Sequence, residues 1–198
     1  MELIVYILLG LTSLVGLTFI IERGWALRWR KVVPPEIEAA AQSCQTPEDV
    51  PMLRRVCQQH NSPIGRLLLL AAEHLDWQKT EVSSALQTRA RHEVVRLERG
   101  LVVLEIIVGI APLLGLVGTI VGMMGAFGRV EGGSLDAGTL AHNISLILQA
   151  TLMGLLIAIP SLIFWSYYSK KVETIAVEME TLCDEFVRRQ YREEIEKH

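Results

Sequence analysis

The chain has 198 residues, 51% of them hydrophobic and 21% charged, and a formal net charge of −3. That balance points to a membrane protein with sizeable polar parts, and it offers nucleic acid no basic patch with interleaved aromatics. The three cysteines, Cys44, Cys57 and Cys183, are an odd set outside the apolar runs, so reduced thiols are expected instead of a disulfide framework. Cys57 and His60 lack a second pair at ligand spacing, which argues against a metal centre.

Taken in order, residues 1–22 read as the first transmembrane helix. The apolar run from Leu3 to Ile21 is long enough to cross a hydrocarbon core of about 30 Å. It has neither a basic start nor a small-residue cleavage site, so it is expected to be retained. Arg23, Arg28, Arg30 and Lys31 follow at once, with Trp25 and Trp29 as interface anchors, and place this end on the cytoplasmic side. Residues 23–100 read as a cytoplasmic helical region. Pro34, Pro35, Pro47, Pro51 and Pro63 predict short helical pieces in its first part. From Ile64 the sequence is rich in Leu, Ala, Glu and Arg with only Gly100 as a breaker, and it predicts one long helix projecting from the membrane.

Residues 101–127 form the second predicted span. Glu105 lies about 10 Å before Pro112 along a helix, where the bland reading is a carboxylate reaching headgroup water or an arginine. The uncharged stretch IAPLLGLVGTIVGMMGAF, Ile110 to Phe127, dominates this span. At 100° per residue, Ala111, Gly115, Gly118, Thr119, Gly122 and Ala126 share one side. A helical glycine costs about 1 kcal/mol relative to alanine in water, so this cluster points to packing, and Gly118 with Gly122 has the small-xxx-small spacing of close helix contacts. Thr119 either bonds back to a carbonyl one turn earlier or lines a pore; the segment alone favours the first.

Residues 128–139, GRVEGGSLDAGT, read as a turn-rich periplasmic connection with Arg129 its lone positive charge. The third span, 140–168, contains ISLILQATLMGLLIAIPSLIFW and ends in Trp165, Tyr167 and Tyr168 before Lys170 and Lys171. The basic residues therefore put the N-terminus outside and the C-terminus inside. On this helix Thr151, Gly154, Leu155 and Ala158 share one side, with His142, Ser145 and Gln149 opposite. Gln149 suits an interhelical hydrogen bond slightly better than a direct transport role, and His142 suits an interface better than a proton relay. Residues 169–198 read as a cytoplasmic C-terminal helix. Val172, Ile175, Met179, Leu182 and Phe186 form a heptad seam for another helix, in this chain or in a copy of it. No enzyme constellation stands out, and spans without a central carboxylate or lysine imply that, if ions cross, the titrating group comes from a partner.

IAPLLGLVGTIVGMMGAF followed by QATLMGLLIAIPS, with the Glu22–Arg23 pair after the first span and the order of three spans, resembles the MotA/TolQ/ExbB proton channel family, in particular its short TolQ and ExbB branch. The resemblance implies an all-α integral membrane protein of three transmembrane helices extended by long cytoplasmic helices, assembled as a homo-oligomeric, pentameric ring. It further implies a bacterial inner-membrane location and a TolR/ExbD-like partner dimer, whose single spanning helices sit in the pore and carry an aspartate. Proton flow would then drive mechanical work in the envelope, with Na+ as the alternative ion and no bound cofactor. Thr119 and Thr151 match the family threonines facing that aspartate. Pro112, Gly115, Gly118 and Gly122 match the pore helix, Gly154 falls within the second motif, and Pro160 matches the proline late in the last span. Where TolQ and ExbB carry a glutamate this chain has Leu146; Gln149, about one turn on, and Ser145 remain as polar candidates for the ion path. The competing expectations are a nonconducting membrane scaffold that recruits partners through its cytoplasmic helices, and a channel that opens alone.

Overall fold

The structure is a computed structural model that describes residues 2–128 and 137–196. The described residues contain helices and no strand: α1 (Glu2–Ala26), α2 (Trp29–Val32), α3 (Pro35–Ser43), α4 (Val50–Gln59), α5 (Pro63–Glu73), α6 (Lys79–Glu98), α7 (Leu101–Gly128) and α8 (Ala137–Glu196), with a 3-10 turn at Pro47–Asp49. Three of these helices carry stretches long and apolar enough to cross a membrane: Leu3–Ala26, Leu101–Gly125 and the segment Ile147–Arg192 of α8. The chain is a multi-pass membrane protein, and its described residues are all-helical. Most of the predicted periplasmic connection, residues 129–136, lies outside the described residues, as do the side chains of His142 and Leu146.

The chain divides into two compact units, one of Met1–Arg23 with Gly100–Tyr168 and one of Gly24–Arg99 with Ser169–His198. In the second unit the prolines set the helix starts. Pro35 and Pro63 open α3 and α5, Pro47 opens the 3-10 turn, and Pro51 is the second residue of α4. A first-turn proline gives up an N–H that has no partner there anyway, and its fixed φ already suits a helix. Ser62 caps α5 by accepting from the Gly65 amide at 3.1 Å.

The structure corrects the expectation of one long helix from Ile64. The chain breaks at His74–Gln78, and α6 folds back along α5. Gln78 is extended, and its amide donates to Glu81 Oε2 at 3.4 Å, so a Gln-x-x-Glu start signal closes the first turn of α6. A second difference lies at Ser169. With no glycine or proline between Trp165 and Glu173, the third span and the C-terminal helix are one continuous helix, α8.

The seam on α8 finds its partner within this chain. Val172, Ile175, Met179 and Phe186 are each at most 1% exposed, and Ile175, Met179 and Phe186 join Ile37, Leu53, Ile64, Leu67 and Leu68 in one core. Each such side chain contributes about 1.5–3 kcal/mol by leaving water. Polar ties fix the register: Arg189 Nη1 donates to Gln42 O at 3.0 Å at the end of α3, and the Tyr191 hydroxyl donates to Trp77 O at 2.6 Å. Arg54 Nη2 likewise reaches Ala72 O near the end of α5 at 3.0 Å.

Two features of this core are chemical. Glu93 is 1% exposed, and Arg66 holds it through two hydrogen bonds of 3.0 and 2.5 Å, with Arg89 at 3.5 Å and Arg96 at 3.6 Å. Cys44, Cys57 and Cys183 are all buried here as free thiols. Burial, helped by neighbouring thiols and, at Cys183, by Glu180, pushes Cys57 up to about 11 and Cys183 up to about 12. Thiolate being the reactive form, a water-soluble maleimide at neutral pH should label the native chain about 100-fold more slowly than the denatured chain. Equal labelling rates would show that the core opens readily.

Candidate functional site: the crossing of two glycine-bearing spans

In the membrane unit the small residues of α7 meet α8 almost backbone to backbone. A Cβ added at Gly115 would lie 2.9 Å from Ala150 O and 2.9 Å from Thr151 Cα. One at Gly118 would lie 2.7 Å from Ala150 Cβ and 3.1 Å from Val5 Cγ1, and one at Gly122 would lie 2.7 Å from Ile147 Cγ1. From the other side, a Cβ at Gly154 would lie 2.5 Å from Ala111 O. Such approach is what small residues permit between helices in lipid, where dispersion and not water exclusion drives association. α1 packs alongside: Val5 and Leu9 are buried, Gly16 faces Ile107 and Ser161, and the Tyr168 hydroxyl donates to Ile20 O at 2.9 Å.

The two threonines flank this crossing. Thr151 is half-buried beside Gly115, and Thr119, also half-buried, sits one turn further along α7. The Thr119 hydroxyl donates to Leu116 O at 2.7 Å, the helix-internal bond that a lone threonine at this depth is expected to make. Its oxygen keeps acceptor capacity for another donor. Pro112 is half-buried on the same stripe as Thr119, and Pro160 is exposed inside α8.

Ser145 and Gln149 are exposed on the side of α8 away from the buried stripe of Ile147, Ala150, Gly154 and Ala158, so the single chain does not gather them with the threonines. Leu155, assigned to the small side from the sequence, is 42% exposed instead. The residue that the sequence reading missed is Ala150, 3% exposed and the contact for both Gly115 and Gly118. Its signal was legible as Ala150-xxx-Gly154-xxx-Ala158, a run of small residues at four-residue spacing. Among the described residues no group of three or more His, Cys, Asp or Glu side chains is arranged to hold a metal ion.

Comparison with known proteins points the same way. The family described as the MotA/TolQ/ExbB proton channel family matches residues 59–181. An ExbB homolog of Methanothermobacter thermautotrophicus is 29% identical over 144 residues, 73% of this chain and 51% of that protein. An ExbB-like protein of Synechocystis sp. is 31% identical over 163 residues, 77% of this chain and 62% of that protein. The biopolymer transport protein ExbB of Helicobacter pylori is 37% identical over 81 residues, 40% of this chain and 56% of that protein. The chain thus spans from 51% to 62% of the length of these relatives. With the family match covering both spans of the crossing and the relatives aligned over much of the chain, this protein belongs to the MotA/TolQ/ExbB proton channel family.

Proposed function

We propose that this chain is the ion-channel and stator subunit of a complex that couples ion flow across the bacterial inner membrane to mechanical work in the envelope, for biopolymer transport or envelope maintenance. The observation that carries this reading is the crossing of α7 and α8 with Thr119 and Thr151 at its edge, in a chain of the proton channel family. In this reading the chain forms a homopentameric ring with the N-terminus periplasmic and the C-terminus cytoplasmic. A TolR/ExbD-like dimer occupies the pore, and its aspartate carries H+, with Na+ the alternative, past the two hydroxyls. Hydroxyls are weak ligands, so they orient a carboxylate or an ion without trapping it. No cofactor takes part.

The test is ion flux into liposomes holding this protein with and without its partner, under a proton gradient and then a sodium gradient. Flux should need both proteins and fall about tenfold or more in Thr151→Val, which keeps the shape and removes the hydroxyl. Flux from this chain alone would favour a self-opening channel. The Thr119 bond to Leu116 O supports a second reading, a nonconducting scaffold whose hydroxyls only satisfy the helix; full activity of Thr151→Val and Thr119→Val in an assembled complex would favour it.

A further inference from the structure

Glu105 is the only acidic residue in 101–127 and 140–168. It is exposed, and among the described residues no hydrogen-bond or ion-pair partner meets its carboxylate. At 100° per residue, Glu105, Pro112 and Thr119 stand at intervals of seven and fall within about 40° of one another on α7. They lie at the edge of the packed stripe of Leu104, Ala111, Gly115 and Gly118, on its open side. Gly109, one turn after Glu105, faces the same way, and a Cβ there would meet nothing within 4 Å. Ile106, Ile110, Leu113 and Val117, each at least 45% exposed, lie further round the helix, while Leu116 and Met123, 51% and 48% exposed, share the side of Glu105. A carboxylate in an apolar helix is costly against acyl chains and belongs where water or a partner meets it.

We propose that Glu105 faces the ion path of the assembled ring, about 21 Å along the helix from Thr119, where repeated copies form a ring of carboxylates at the Leu101 end of the span that concentrates cations and rejects anions. This rests on the ion-conducting reading above. It assigns the chain a fixed charge of its own in the conduction path, separate from whatever a partner supplies.

Two measurements on the full-length protein in its complex test it. Glu105→Cys and Ile106→Cys are treated in liposomes with a membrane-impermeant methanethiosulfonate, with the unaltered chain as background for its buried thiols. Glu105→Cys should react about tenfold faster than Ile106→Cys; equal, slow reaction places residue 105 in lipid or packing and overturns the proposal. Flux through Glu105→Gln should fall about tenfold while Glu105→Asp retains most of it. Unchanged flux in Glu105→Gln, with the unaltered complex conducting, overturns this proposal and leaves the parent reading intact. If the unaltered complex passes no ions, the parent reading fails and this one with it.

Discussion

Gly154→Ala should prevent the membrane unit from reaching its native packing, although it adds a single methyl group. The added carbon would lie 2.5 Å from the carbonyl oxygen of Ala111, a backbone atom with no rotamer to escape into, with Gly115 Cα at 3.3 Å behind it. Overpacking a tight contact typically costs 1–3 kcal/mol, and here relief requires the two helices to part. Parting them also opens the contacts at Gly115, Gly118 and Gly122. Gly109→Ala is the matched control. Its Cβ enters open space, so only helix propensity remains, which favours alanine by up to about 1 kcal/mol in water. Stability against denaturing detergent, followed by far-UV circular dichroism in micelles, should fall for Gly154→Ala and hold for Gly109→Ala. Equal stability of the two variants would mean that the crossing is looser than described.

Glu93→Ala should destabilise the Gly24–Arg99 and Ser169–His198 unit by about 1–3 kcal/mol. Removing one partner of a buried ion pair usually costs 3–5 kcal/mol, but Arg66 is 29% exposed, so water takes over part of its solvation. Burial pushes the Glu93 carboxyl up, but the hydrogen bonds and charge of Arg66, then the charges of Arg96 and Arg89, outweigh it and hold the group below its ordinary range. The folded state therefore binds this proton less readily than the unfolded chain does. That stabilisation is complete above the ordinary carboxylate value of 4.5 and is lost as pH falls below it towards the depressed folded value. Thermal melts from pH 7 to pH 3 should show a steeper acid loss in the unaltered chain than in Glu93→Ala. Parallel curves would remove Glu93 from the account.

What the sequence made legible follows from which signals are local. The three spans needed only apolar length. The seam from Val172 to Phe186 announced itself by its period, though not its partner, because the core it joins is divided among α3, α4, α5 and α6. The glycines of α7 announced close packing. The partner surface was harder, since Ala150 is unremarkable until the two helices are superposed. The reversal at His74–Gln78 escaped because it contains neither glycine nor proline, and its start signal uses Gln78 where serine or threonine is usual. Glu93 escaped because its chief partner, Arg66, lies 27 residues earlier, on a helix whose return depends on that same reversal.

The core that surrounds Phe186 also has a consequence for how the protein is made. Residues 24–99 leave the ribosome with Ile64, Leu67 and Leu68 already patterned on their helices, but the side chains that cover them, Ile175, Met179 and Phe186, follow only after two further membrane segments. Until then a growing chain displays an uncovered apolar surface, the kind that chaperones bind and proteases read as unfinished. Completion of this core thus reports that the third membrane helix has been synthesised, and a truncated product keeps exposed the surface that marks it for removal.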